Sequence, residues 1–244
     1  MIFIDLKGEV VESGSEWFYD WYGIQAVSPK KIQDQLTKAN GDEVTIRINS
    51  GGGSVFAGCE IYNQIKNYKG NVTIEIHGLC ASIAGVIAMA GKCKMSPLAQ
   101  FMIHNVSCNA SGDYRDMEHT AETLKKTNST IANAFILKTG MTEEEVKALM
   151  DNETWLTAQE CLDKGLVDEI MYTNEKVDIN MINLLKNQAS AMRNSISVQN
   201  DILNKIKKFK PVNIQPVQSN EVDFSLQQKA KAQLELIKLK GSVL

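Results

Sequence analysis

Val44-Thr45-Ile46-Arg47-Ile48-Asn49-Ser50-Gly51-Gly52-Gly53-Ser54-Val55-Phe56-Ala57-Gly58 decides the fold of this chain. Val44, Ile46 and Ile48 alternate with polar residues, the two-residue period of a strand with one face on a core. Asn49 to Gly53 breaks the pattern, because glycines allow backbone conformations and close approaches that a side chain forbids. A helix then begins near Ser54, and Val55, Cys59, Tyr62 and Ile65 recur at helical spacing. A strand, a glycine-marked junction and a helix follow one another.

The same unit recurs in both directions. Met1–Val10 reads as a strand with Ile2, Ile4 and Leu6 on one face, and Ser28-Pro29 caps a helix near Pro29–Ala39. Downstream, Val72, Ile74 and Ile76 form a strand, Gly78 punctuates it, and a helix of small and apolar residues runs from about Ser82 to Ala90. Strands near Lys92–Met95 and Gln100–His104 precede a long helix, about Asp113–Lys138, with Met117, Leu124, Ile131 and Phe135 at helical positions. Met141 to Glu145 looks like a capped helix start, and Thr157-Ala158-Gln159-Glu160 is a capping box for a short helix ending at Gly165. This alternation predicts an α/β fold with a parallel sheet. The aromatic run Trp17, Phe18, Tyr19, Trp21 and Tyr22 is expected to be a surface hairpin over the core, or to flank a substrate groove or subunit contact.

Composition sets the limits. A chain of 244 residues, 43% hydrophobic and 23% charged, holds one sizeable core and a short appendage, which excludes a wholly disordered or collagen-like class. The stretch Gly78–Gly91, free of charge and histidine, has 14 residues, short of the roughly 20 that span a membrane. Asp5, Lys7 and Glu9 interrupt the first apolar run and argue against a secretory signal. Cys59, Cys80, Cys93, Cys108 and Cys161 lack paired C-x-x-C spacing, so buried thiols in a reducing, cytoplasmic setting are expected. Residues 1–172 carry 15 Lys and Arg against 23 Asp and Glu, whereas 173–244 carry 11 against 6. The boundary near 172 separates a folded domain from a polar, basic tail. Val198, Ile202, Ile206 and Phe209, then Leu226, Ala230, Leu234 and Ile237, predict nascent amphipathic helices in an otherwise disordered tail. That tail suits an acidic protein surface, and without a compact Arg cluster or interleaved aromatics it points away from nucleic acid.

The glycine-marked junctions are the candidate sites, since the first N–H groups of a helix are unpaired and stabilise an anion. Asn49 to Ser54 lacks the Lys-Ser/Thr of a phosphate loop and any G-x-G-x-x-G, which leaves a backbone anion hole or a plain tight turn. In Gly78–Gly85, Ser82 is the only hydroxyl between Thr73 and Ser96. It is either a helix N-cap or a nucleophile whose developing charge the helix start favours. A nucleophilic serine needs a base. His104 ends the strand Phe101-Met102-Ile103, His77 is the second choice beside Gly78, and His119 reads as a solvated helix position. Asp151 and Glu153, just before Trp155, are the loop carboxylates able to orient an imidazole.

Four motifs, in order and spacing, resemble the ClpP-type serine peptidases: Ile48 to Val55, Gly78 to Gly85, Met102-Ile103-His104-Asn105, and Thr154 to Glu160 followed by Gly165-Leu166-Val167-Asp168. Val55-Phe56-Ala57-Gly58, Ile61-Tyr62-Asn63 and Glu153-Thr154-Trp155 look closest to the phage and prophage branch, the ClpP-related head maturation proteases. The resemblance covers about residues 1–172 and implies a ClpP/crotonase-like core of stacked strand-turn-helix units with a projecting handle helix. It implies Ser82 as nucleophile, His104 as general base, the N–H groups of Gly53 and Ile83 as oxyanion hole, and Glu153 as the orienting acid, with Asp151 as the alternative. It implies no cofactor and no metal, a ring-shaped homo-oligomer (a heptamer or stacked rings), and capsid or scaffold polypeptides as substrates. No motif decides whether an ATP-dependent unfoldase docks. The chain departs from the family in carrying Glu153 where an aspartate is usual, Gly51 where proline is common, and the aromatic run Trp17–Tyr22, which has no counterpart. Two other classes share such a core: an acyl-CoA enzyme that stabilises an enolate on paired amides without a Ser–His pair, and a catalytically silent assembly protein.

Overall fold

A computed structural model describes residues 2–173 of the chain. The tail from 174 onward, with its two amphipathic stretches, lies outside the described residues. Among the described residues the chain divides into two units, one of residues 2–106 with 122–173 and one of residues 107–121.

The first unit is built on an eight-stranded sheet. Strands β1 (Ile2–Val10), β2 (Ala26–Val27), β3 (Val44–Gly53), β4 (Val72–Ala81), β5 (Lys92–Met95) and β8 (Glu169–Ile170) lie parallel in the order β2-β1-β3-β4-β5-β8. Register explains the core. Ile4, Ile46, Ile74 and Cys93 form one row across the sheet, and Leu6, Ile48, Ile76 and Met95 the next, all fully buried. Burying each large aliphatic side chain contributes about 1.5–3 kcal/mol. Helices α2 (Pro29–Ala39), α3 (Val55–Asn67) and α4 (Ile83–Ala88) add Ile32, Leu36, Ile61, Ile65 and Ile87 to the same core. Ser28 and Ser54 cap α2 and α3 through their hydroxyls, Ser28 as its place before Pro29 predicts.

The opposite face carries the row Asp5, Arg47, Glu75, Lys94, Glu169, one charge per strand and alternating in sign. Arg47 pairs with Asp5 at 2.8 Å and Lys94 with Glu169 at 3.1 Å. Cross-strand pairs of this kind each contribute tenths of a kcal/mol and help fix the register.

Two glycine-marked strands run further than the sequence suggests. β3 continues through the glycines to Gly53 with a register shift between Ile48 and Ser50, and β4 passes Gly78 and ends at Ala81. The break in hydrophobic alternation is a bulge, not a strand end, because paired neighbours on both sides keep the backbone extended. β4 consequently pairs twice, with β5 through Thr73 to Ile76 and with β6 (Gln100–Ile103) through Leu79 to Ala81. β7 (Thr154–Leu156) then pairs antiparallel with β6, placing Thr154 opposite Ile103.

The aromatic run is not a hairpin: Glu16–Trp21 forms the short helix α1, held by Glu16 to the hydroxyl of Ser28. Tyr19 is pushed up to about 12 by burial and by the neighbouring Glu9 carboxylate. The long helix α5 (Tyr114–Thr139) has 26 residues and buries Ile131, Ala132, Ala134 and Phe135 near its C-terminal end. There Lys138 binds the Gly91 carbonyl and Asp168, which also accepts the Cys93 N–H at 2.6 Å. Helices α6 (Glu143–Asp151) and α7 (Ala158–Asp163) both start with complete capping boxes. The described part of the second unit, Ser107–Ala121, holds an exposed loop and the start of α5, where Asp113 accepts from the Arg115 N–H. The expectation of uniformly buried thiols is corrected: Cys80, Cys93 and Cys161 are buried, Cys59 is half-buried and Cys108 is exposed. Desolvation pushes the Cys93 thiol up to about 12 and those of Cys80 and Cys161 upward as well, so these thiols stay protonated.

Candidate active site

The site forms where β4 ends. Ala81 pairs with Met102 of β6, the Ser82 N–H binds the Met102 carbonyl at 3.0 Å, and the Gly85 N–H binds the Ser82 carbonyl at 2.9 Å. Between these anchors Ser82 takes φ 57° and ψ −130°, backbone space that a side chain rarely occupies. Such a conformation costs about 1–3 kcal/mol and persists because buried neighbours, here Ala81 and Ile83, hold it. Its hydroxyl does not cap α4. It meets the His104 imidazole instead, with Ser82 Oγ 2.8 Å from His104 Nε2. Both residues are half-buried. The pair arises because His104 follows the β6 residues that flank Ala81 and Ser82, so sheet pairing spans the 22-residue separation.

His77 is not part of the site: its ring faces Glu75 at 3.1 Å on an exposed stretch of β4. His119 lies on the exposed first turns of α5.

The glycine run of β3 closes over Ser82. Gly52 has φ 94°, and a Cβ there would stand 2.7 Å from Ser82 Cβ and 3.2 Å from the Ile83 nitrogen. Gly53, at φ 144°, lies against Val10, whose carbonyl a Cβ would reach at 2.2 Å. Only glycine satisfies both positions. The strand carrying Gly53 therefore lies directly against the Ser82–Ile83 junction, where α4 begins. Asn49 and Ser50 maintain the bulge, and sequence reasoning passed over them. Asn49 Oδ1 accepts the Leu79 N–H at 2.9 Å, while buried Ser50 accepts the Gly52 N–H and donates to the Gly8 carbonyl at 2.5 Å. The signal available was two polar residues at a strand position whose neighbours are apolar.

The two carboxylates stand differently. The Asp151 carboxylate accepts from the Asn105 amide at 2.8 Å. Glu153 occupies a left-handed turn at φ 44° just before β7, and extending the β6–β7 register by one residue sets it opposite His104. Its side chain is exposed and makes no hydrogen bond among the described residues. Among those residues the His104 ring bonds only to Ser82.

A cleft of about 480 Å³ is bounded by Tyr62, Lys66, Met89, Lys92, Leu137 and Lys138. Neither Ser82 nor His104 lines it. Among the described residues no cluster of three or more His, Cys, Asp or Glu side chains is assembled for a metal ion, and no helix is long and apolar enough to cross a membrane.

Residues 25–174 match the Clp protease family. The chain is 33% identical over 138 residues to the ATP-dependent Clp protease proteolytic subunit 1 of Chlamydia abortus, covering 54% of this chain and 72% of that protein. It is 35% identical over 134 residues to the proteolytic subunit of Bacteroides fragilis, covering 54% and 65%, and 35% identical over 137 residues to that of Streptococcus pneumoniae, covering 54% and 70%.

Proposed function

The chain belongs to the Clp protease family and is a serine-type peptidase, and on that premise we propose that Ser82, His104 and Glu153 carry its chemistry. The 2.8 Å contact between Ser82 Oγ and His104 Nε2, on a serine held in strained backbone, is the observation that supports this assignment. His104, protonated at Nδ1, takes the proton from Ser82 as its oxygen attacks a peptide carbonyl. The tetrahedral oxyanion forms against the N–H groups of Gly53 and Ile83, and collapse expels the amine, which receives the proton from His104. Water then attacks the acyl-serine with His104 again as base, which releases the acid and restores the hydroxyl. Glu153 orients the imidazole and stabilises its charged form once its turn brings the carboxylate to Nδ1. Asp151 is the alternative acid, at the expense of its bond to Asn105.

The chain's own motifs, Val55 to Gly58 with Ile61-Tyr62-Asn63 and Glu153-Thr154-Trp155, favour the phage and prophage branch, and hence a role in trimming capsid or scaffold polypeptides inside a ring-shaped homo-oligomer. Enclosure in a ring would restrict the site to unfolded or threaded chains. Co-expression with the capsid and scaffold proteins of a candidate phage tests this role. Trimming by the wild type and none by Ser82→Ala is expected. Intact capsid proteins alongside active hydrolysis of peptides would remove the head-maturation role and leave the peptidase.

A further inference from the structure

The reaction above leaves one well-placed carboxylate without a task. Glu12 lies just beyond β1, in a segment that precedes the residues matched by the family. The Ser54 hydroxyl donates to the Glu12 carboxylate, and the Ser54 N–H binds the Val10 carbonyl at 2.8 Å. Ser54 directly follows Gly52, packed on Ser82, and Gly53, proposed above as an oxyanion donor. With successive Cα atoms about 3.8 Å apart, this chain of contacts sets the carboxylate roughly 10 Å from Ser82, about three residues along an extended peptide.

Acidic residues dominate the stretch around it, which is bounded by Lys7, paired with Asp5, and by Lys30, whose N–H bonds the Ser13 hydroxyl. Residues 8–29 contain Glu9, Glu12, Glu16 and Asp20 and no Lys or Arg. Glu16 is turned toward Ser28 and the Gly14 N–H, and Glu9 toward Tyr19. Glu12 is exposed, and among the described residues it forms no ion pair. The Ser54 hydroxyl orients it without neutralising it. An oriented, uncompensated anion at the rim of a site discriminates between charged ligands more than it adds raw affinity.

We infer that Glu12 is a specificity-determining residue that selects a Lys or Arg side chain of the substrate polypeptide at one position within about three residues of the scissile bond. The inference rests on the peptidase reading of Ser82. Because the carboxylate is exposed, its attraction for a cation and repulsion of an anion are both modest and both screened by salt.

The test uses the full chain and a fluorogenic peptide series in which Lys, Gln or Glu replaces each residue in turn. At one position the wild type is expected to prefer Lys to Glu by about tenfold in kcat/KM at low ionic strength, less at high salt. That ratio should fall toward one in Glu12→Gln and invert in Glu12→Lys. Glu12→Gln keeps an oxygen that accepts from Ser54, so a merely structural role would leave the ratio intact. Hydrolysis with the same ratio in all three proteins overturns the inference and leaves the peptidase standing. Failure of the wild type to hydrolyse any peptide overturns both.

Discussion

Ser82 and Glu153 both occupy left-handed backbone, at φ 57° and 44°, yet they are held in opposite ways. Ser82 is locked: both of its backbone polar groups are bonded, buried residues flank it, a glycine strand packs on it, and its hydroxyl meets His104. Glu153 follows α6 in a turn where a left-handed residue is an ordinary helix ending, its N–H bound to the Met150 carbonyl and its carboxylate in solvent. The proposed nucleophile and base are thus fixed by the sheet, while the proposed acid stands on an exposed turn.

The largest effect should come from the rigid half. Ser82→Ala or His104→Ala is expected to lower kcat/KM for a peptide by roughly 10⁴-fold or more, and the double variant should fall no further, because the two act as a unit. Additive losses would break the pairing of Ser82 with His104. Gly52→Ala places a methyl against Ser82 Cβ on backbone that disfavours it, so kcat should drop about a hundredfold or more as the junction shifts. Wild-type kinetics in that variant would show the close approach to be dispensable.

The exposed half should respond less. Glu153→Gln is expected to lower kcat about a hundredfold by removing the charge that supports the imidazolium, while Asp151→Asn changes it less than about threefold. The reverse ranking would transfer the acid to Asp151. Far from both, Asp168→Asn weakens the tie between Lys138 and the Cys93 N–H and should lower stability by about 1–2 kcal/mol in urea titration, with kcat within about twofold. A larger loss of activity than of stability there would couple the C-terminal end of α5 to the site.

Legibility in the sequence follows the same division. The alternation of Val44, Ile46 and Ile48 and of Val72, Ile74 and Ile76 foretold the strands, because period-two burial is a local property, and their alternation with helices foretold the parallel sheet. Ser28, Thr142 and Thr157 announced their helices through side-chain capping, which is also local. Gly78 misled, since the sequence cannot show that β6 waits beyond it to pair with Leu79–Ala81. The helix Glu16–Trp21 was hidden for a similar reason: although Trp17 and Trp21, and Phe18 and Tyr22, stand four apart, its anchor, the bond from Ser28 to Glu16, spans 12 positions. Sequence leaves Ser82 open between cap and nucleophile; its hydroxyl turns away from α4 and meets His104. The orienting acid stayed open, because two carboxylates on one short turn differ by contacts that sequence does not record.

Treating the full chain with a fluorophosphonate and locating the adduct by peptide mass spectrometry tests the central claim most directly. A single modification on Ser82, lost in Ser82→Ala and strongly reduced in His104→Ala, is predicted. An adduct on any other hydroxyl, or labelling of Ser82 that is indifferent to His104, would contradict it.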